Sequence, residues 1–146
     1  MGKAEQFFTV EQKSSLLAAI KEAEANTSGE VRLFIEDTCT DDVLNRAAEV
    51  FEKLEMHKTA LRNGVLFYLA VNARKFAILG DAGINNAVPD NFWDDIKHTM
   101  QQQFKQGRFS EGLETGIITA GKALKQYFPH TNDDINELPD DIVFGQ

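Results

Sequence analysis

Apolar positions recur along the chain with two different periods. Thr9, with Gln12 three residues on, forms a capping box, and Val10, Leu16, Leu17, Ile20 and Ala23 follow at helical spacing as far as Asn26-Thr27-Ser28-Gly29. The pattern predicts a first helix that stops at that break. From Glu30 the period becomes two, with Val31, Leu33 and Ile35 on one face and Arg32, Phe34 and Glu36 on the other, which predicts a strand with one partly polar face. Thr40 is placed to cap a second helix. Its first turn carries Asp41 and Asp42 at the positive end of the dipole, and Leu44, Ala47, Ala48, Phe51 and Leu54 form its apolar stripe.

Gly64 to Val71 is apolar on both parities, the pattern of a central strand covered on two sides. Asn72-Ala73-Arg74 then turns the chain into Phe76, Ala77, Ile78 and Leu79, a hairpin partner that stops at Gly80-Asp81-Ala82-Gly83. Pro89 and Asp90 open a third helix with Phe92, Trp93, Ile96, Met100 and Phe104 inward, closed by Gln106-Gly107. A fourth helix, capped by Ser110, carries Leu113, Ile117, Ala120, Leu124 and Phe128 and ends before Pro129. Gly112, Gly116 and Gly121 weaken this helix locally, so close packing against a neighbour is the expected reason for them. The remainder, 129–146, reads as an acidic tail with a small apolar end, Ile142-Val143-Phe144, able to dock.

The first two strands are separated by a helical crossover, which predicts a parallel pair, while the third strand must run back against the second. The fold class that follows is α/β, a mixed central sheet (parallel first pair plus antiparallel hairpin) sandwiched between helices, α/β/α, in one domain over residues 1–128. This order also fixes which chain ends lie together. Ser28, Gly29 and Glu30, then Arg62 and Asn63, then Gly80 and Asp81 should share one edge of the sheet, with Asp37, Asp41 and the Asn72 turn at the other. The loop after Asp81 should bring Asp94 and Asp95 towards the first edge.

With 146 residues, 42% of them hydrophobic and eleven of them Phe, the chain can bury one good core. The formal charge of −8, with Lys and Arg scattered, argues against nucleic acid or an anionic membrane as a partner and favours cations. Cys39 is the single cysteine, so no internal disulfide forms. That fits a reducing, cytoplasmic setting, as do the charged N-terminal residues and the shortness of the longest apolar run.

Against this background the first edge is the strongest candidate for chemistry. Glu30, Asn63, Asp81, Asp94 and Asp95 offer the hard oxygens that calcium and magnesium prefer, although no EF-hand spacing occurs and a solvated acidic rim is the plainer reading. Asp94 and His98, four apart, could share an ion or form an ordinary exposed pair, and His57, His98 and His130 do not suggest a zinc site. Cys39 has no local His to activate it. Gly80-Asp81-Ala82-Gly83 lacks both phosphate-loop patterns and places a carboxylate where an anion would sit, unless a metal bridges Asp81 to a phosphate oxygen with Arg62 as anion partner. Trp93 could line the mouth of such a site, but its helical spacing with Ile96 and Met100 is that of a core residue.

Taken in order, Thr27-Ser28-Gly29-Glu30-Val31-Arg32, Arg62-Asn63-Gly64-Val65-Leu66, Gly80-Asp81-Ala82-Gly83-Ile84, Phe92-Trp93 and the Phe104, Gly107, Phe109, Gly112 series resemble the successive signatures of the TPM domain family. The likeness covers residues 5–128. It implies a sheet between helices and a divalent-metal site around Asp81, with Asn63 and Glu30 on matching motifs; some members are described as acid phosphatases. The reading favoured here is a non-catalytic module binding calcium or magnesium, or a protein partner, and the alternative is metal-assisted hydrolysis of phosphate monoesters.

Overall fold

A computed structural model describes residues 3–130 and 141–145. The elements, in order, are α1 (Lys3–Phe7), α2 (Val10–Asn26), β1 (Glu30–Glu36), α3 (Val43–Lys53), a 3-10 turn (Met56–Lys58), β2 (Gly64–Ala70), β3 (Lys75–Gly80), α4 (Ala82–Ala87), α5 (Asp94–Lys105), α6 (Phe109–Leu124) and β4 (Ile142–Phe144). The α2 capping box forms as its sequence requires: Thr9 Oγ1 accepts from the Gln12 N–H at 3.1 Å, and the Gln12 side chain accepts from the Thr9 N–H at 2.9 Å.

The four strands make one mixed sheet in the order β3-β2-β1-β4. β1 and β2 pair in parallel over seven residues, Glu30 opposite Gly64 through Glu36 opposite Ala70, and β3 runs antiparallel to β2. The apolar end of the chain forms β4, parallel to β1 with Leu33 opposite Ile142 and Ile35 opposite Phe144. The sheet is covered on both faces. Val31, Leu33, Ile35, Val65, Phe67 and Leu69 meet Leu16, Ile20, Ile96, Met100, Leu113 and Ile117 from α2, α5 and α6. On the opposite face Phe34, Leu66, Tyr68 and Ala77 meet Ala47, Val50 and Phe51 of α3 and Met56 of the 3-10 turn.

Several local expectations are corrected. Asp42, not Thr40, caps α3, accepting from the Asn45 N–H at 3.2 Å. Val43, Ala47, Val50 and Phe51 face the sheet, while Leu44 and Ala48 are exposed. The third expected helix begins at Asp94 rather than Pro89, because Pro89 to Trp93 forms a turn in which the Phe92 N–H donates to the Pro89 carbonyl. Ser110 is buried inside the first turn of α6 instead of capping it, and the helix ends at Leu124, short of Phe128. The polar face of β1 is not solvated. Arg32 and Glu36 are buried, Glu36 beneath α3 with ion-pair and hydrogen-bond partners. α1 and the short α4 had no periodicity long enough to predict them.

The glycines of α6 do mark close approaches. A Cβ on Gly121 would lie 2.6 Å from Ala23 Cα and 2.8 Å from the Ala23 carbonyl oxygen, so α2 and α6 meet at backbone distance there. Alanine favours an exposed helix interior by about 1 kcal/mol over glycine, but overpacking against backbone costs about 1–3 kcal/mol. Gly121→Ala should therefore lower stability by about 1–2 kcal/mol, read as a reduced urea midpoint at unchanged slope; an increase would mean that the helices separate freely.

Candidate functional site

The edge expected from chain order is assembled by backbone pairing. The Glu30 N–H donates to the Asn63 carbonyl at 3.1 Å, and the Asp81 N–H donates to the Gly64 carbonyl at 3.0 Å. The starts of β1 and β2 and the end of β3 thus form one continuous rim. Asn63 is 2% exposed; its side-chain amide donates to the Ser28 carbonyl at 3.1 Å, tying the loop before β1 to the start of β2. The Gly83 N–H donates to the Arg62 carbonyl, and a Cβ on Gly83 would come within 2.2 Å of the Leu61 carbonyl oxygen, so only glycine allows α4 to start this close to the β2 entrance.

Asp81 is the centre of the rim. Its Oδ1 caps α4 by accepting from the Ala82 N–H at 2.7 Å, while the Arg62 guanidinium donates through Nε to Oδ2 at 2.7 Å and through Nη2 to Oδ1 at 2.8 Å. Burial pushes the Asp81 carboxyl up; the Arg62 hydrogen bonds and the Ala82 N–H outweigh it and hold it below its ordinary value, so it is ionised at neutral pH. Its side chain is 5% exposed and that of Arg62 50%. Arg62 takes a left-handed backbone (φ 51°), a conformation that non-glycine residues rarely adopt. The pair is therefore a buried anion closed off by one half-exposed cation.

Register explains which of the other expected ligands approach Asp81. Glu30 lies opposite Gly64, and Asp81 continues β3 by one residue to the other side of Gly64, so both carboxylates point to the α3 face two strands apart. Two strand spacings are about 10 Å. Gly64 leaves a gap between them, and Met56 fills it, its carbonyl oxygen and side chain lying within 3.2–3.7 Å of where a Gly64 Cβ would be. Asn63 has the opposite parity. Asp94 and Asp95 are exposed in the first turn of α5, Asp95 lining a crevice of about 80 Å³ against Thr115, Gly116 and Thr119 of α6. Among the described residues no group of three or more His, Cys, Asp or Glu side chains is placed to share one ion. The oxygen chemistry at Asp81 suits a hard divalent ion, but Arg62 holds the cation position, and Glu30 is kept apart by Met56.

Sequence reasoning passed over a second polar cluster, at the far end of β1. Arg46 of α3 donates through Nε and Nη2 to the two oxygens of Glu36 at 2.8 and 2.9 Å, and the Tyr68 hydroxyl donates to the same carboxylate. Burial raises the Glu36 carboxyl, but the Arg46 and Tyr68 hydrogen bonds outweigh it and leave it lowered; burial and the Glu36 hydrogen bond push the Tyr68 phenol well above its ordinary value. Cys39 is buried beside this cluster, its thiol donating to the Asp41 carbonyl at 3.3 Å. The only hint in the sequence was charge on alternate positions of a strand whose neighbours are apolar. Trp93 packs edge-to-face on Phe92, at 4.8 Å between ring centres, and against the main core.

The fold and this rim define an α/β domain of one family: the sequence matches the TPM domain over residues 3–123, and the chain belongs to that family. It is similar in structure to the BA42 protein from the psychrophilic bacterium Bizionia argentinensis, with 50% identity, 97% of each chain covered and a TM-score of 0.91. Two more distant likenesses show the fold alone. One is the N-terminal domain of a protein from P. gingivalis (17% identity, 86% of this chain and 82% of that one, TM-score 0.70); the other is the N-terminal domain of the cg2496 protein from Corynebacterium glutamicum (13%, 81% and 74%, TM-score 0.65). No match is found among curated proteins. No helix among the described residues is long and apolar enough to cross a membrane.

The lowered Asp81 and Glu36 carboxyls contribute to the acid limb of stability. A carboxyl whose folded-state pKa is depressed contributes stability above its unfolded value, lost as pH falls through the folded one, so the loss falls below the ordinary values of 3.8 and 4.5. Between about pH 5 and about pH 3 the urea midpoint of the wild type should fall more steeply than that of Asp81→Asn or Glu36→Gln; parallel curves would show that neither carboxyl is depressed.

Proposed function

We propose that this TPM domain is a binding module rather than a catalyst, and that its acidic rim takes up calcium or magnesium at Asp81 in exchange for the Arg62 guanidinium. The observation that carries the reading is the Asp81–Arg62 pair itself: an almost fully buried, ionised carboxylate whose countercharge comes from one half-exposed side chain on a left-handed residue. A hard cation would find the two carboxylate oxygens of Asp81 there, while Asn63, Glu30, Asp94 and Asp95, which the rim does not gather around Asp81, would complete its coordination only by moving towards it. Bound there, the ion would replace Arg62 as the countercharge and stiffen the loops that enter β1 and β2. The competing reading is metal-assisted hydrolysis of a phosphate monoester. It requires a base to activate water, and in the described structure Asp81 is a helix cap and ion-pair partner with both oxygens engaged.

A backbone amide NMR titration with calcium and then magnesium tests the proposal. Saturable shifts centred on Arg62, Asn63 and Asp81 to Gly83 are expected, absent in Asp81→Asn and reached at several-fold lower ion concentration in Arg62→Gln, where the resident cation is gone. Asp94→Asn and Asp95→Asn measure the share of α5. Diffuse, non-saturating shifts over all acidic residues would contradict an ion site, and magnesium-dependent turnover of a generic phosphate ester that disappears in Asp81→Ala would replace the module with an enzyme.

A further inference from the structure

Among the described residues, the outer edge of β1 is covered by very little chain. β1 has seven residues, and β4 pairs with only Leu33, Phe34 and Ile35; one further bond runs from the Gly145 N–H to the Ile35 carbonyl at 2.8 Å. Nearer the start of β1 no strand is present among the described residues, and the Val31 N–H donates instead to the Glu24 carboxylate of α2 at 2.8 Å. The three residues of β4 are each only half-buried. A strand of three half-buried residues adds few contacts to those that β2 already gives β1.

What β4 does show is how the edge selects a strand. Arg32 of β1 is 6% exposed, and its Nη2 donates to Asp141 Oδ1 at 2.8 Å, while Asp141 itself is 57% exposed. Arg32 Nε is buried without a hydrogen-bond partner among the described residues. A buried guanidinium with an unused donor wants a second acceptor. Beyond Asp141, Ile142 and Phe144 pack on the main core, Val143 on the α3 side, and Lys13 lies over the Phe144 ring at 5.2 Å. A Cβ on Gly145 would fall 2.7 Å from the Phe34 ring and 2.9 Å from Glu36 Cβ, so the next position admits glycine and little else.

The geometry points to the outer edge of β1 as a strand-recognition site for a protein partner, which β4 occupies in cis. The partner segment it fits is extended, runs parallel to β1, and reads acidic residue, three apolar residues, glycine. Binding is by β-augmentation: main-chain hydrogen bonds give affinity, and Arg32, the two apolar faces and the glycine position give specificity. A tethered segment competes at an effective concentration of order millimolar, so a partner must exceed what β4 offers. Two routes are open to it. A longer strand can reach Val31 by displacing Glu24, and a second acceptor can satisfy Arg32 Nε. The site is separate from the Asp81 rim and does not depend on the ion reading.

The test uses the full-length protein, isotopically labelled, and an unlabelled peptide of residues 139–146, Pro-Asp-Asp-Ile-Val-Phe-Gly-Gln. Millimolar peptide should shift Arg32, Leu33, Ile35 and Gly145 and release the β4 signals towards random-coil positions. Peptides carrying Asp141→Lys or Gly145→Ala should need roughly tenfold more. Full-length Asp141→Asn, with its own latch weakened, should respond to the wild-type peptide at several-fold lower concentration. The absence of any shift in both proteins, or equal response to all three peptides, would overturn the site. Concentration-dependent dimerisation in sedimentation, giving the same shifts without added peptide, would assign the edge to a second copy and overturn the partner assignment.

Discussion

Everything in this domain is referred to the parallel pairing of β1 with β2. Seven residues in register bury β1 on both faces and fix which loops lie at which end of the sheet. A parallel pair needs a crossover, so α3 must pass over one face, and the hairpin to β3 then returns the chain to the rim where β1 began. The rim is thus a consequence of the register: Asp81 reaches the Asn63–Gly64 entrance because β3 is the length it is, and Glu30 is there because β1 starts opposite Gly64.

That constraint also explains why charge is tolerated inside. β1 carries Glu30, Arg32 and Glu36 in its buried rows. Glu36 takes an ion pair from Arg46 and a hydrogen bond from Tyr68; Arg32 takes its ion pair from Asp141. A buried charge without such partners would be strongly destabilising, whereas the same pairs replaced by apolar residues could be neutral. Charge at these positions therefore does not strengthen the sheet so much as specify its register and its neighbours, since a slip of one residue would turn Arg32 and Glu36 into the large apolar core. The Arg62 and Asp81 pair has the same form at the rim, with the difference that its cation is half-exposed.

The order of the first three strands, their directions and the two edges were legible because helical and alternating periods rarely coincide over such lengths, and because a crossover and a tight turn leave few topologies. The family was legible from short motifs at the same chain ends. What escaped was governed by contacts rather than period. Asp42 rather than Thr40 caps α3, and the face that meets the sheet carries Val43 and Val50 in place of Leu44 and Ala48. Six residues of α4 are too few to show a period, and three residues of β4 read as a tail because their partner edge is known only once the sheet is built. The five candidate ligands were gathered by topology alone. Parity then separates them, since Asn63 points to one face, Glu30 and Asp81 to the other, and the Met56 that fills the gap over Gly64 has no signature in the sequence.

The central claim, that β1 is held firmly by β2 and only lightly by β4, has a direct readout in native-state hydrogen exchange. Successive N–H groups along a strand point to opposite neighbours: the bond from Glu30 to Asn63 sets those of Arg32, Phe34 and Glu36 towards β2, leaving those of Leu33 and Ile35 towards β4. The account predicts that Arg32, Phe34 and Glu36 exchange only through global unfolding, while Leu33 and Ile35 exchange faster, by about tenfold or more, through release of β4. Equal, maximal protection at all five positions would contradict it and would make β4 an integral part of the core.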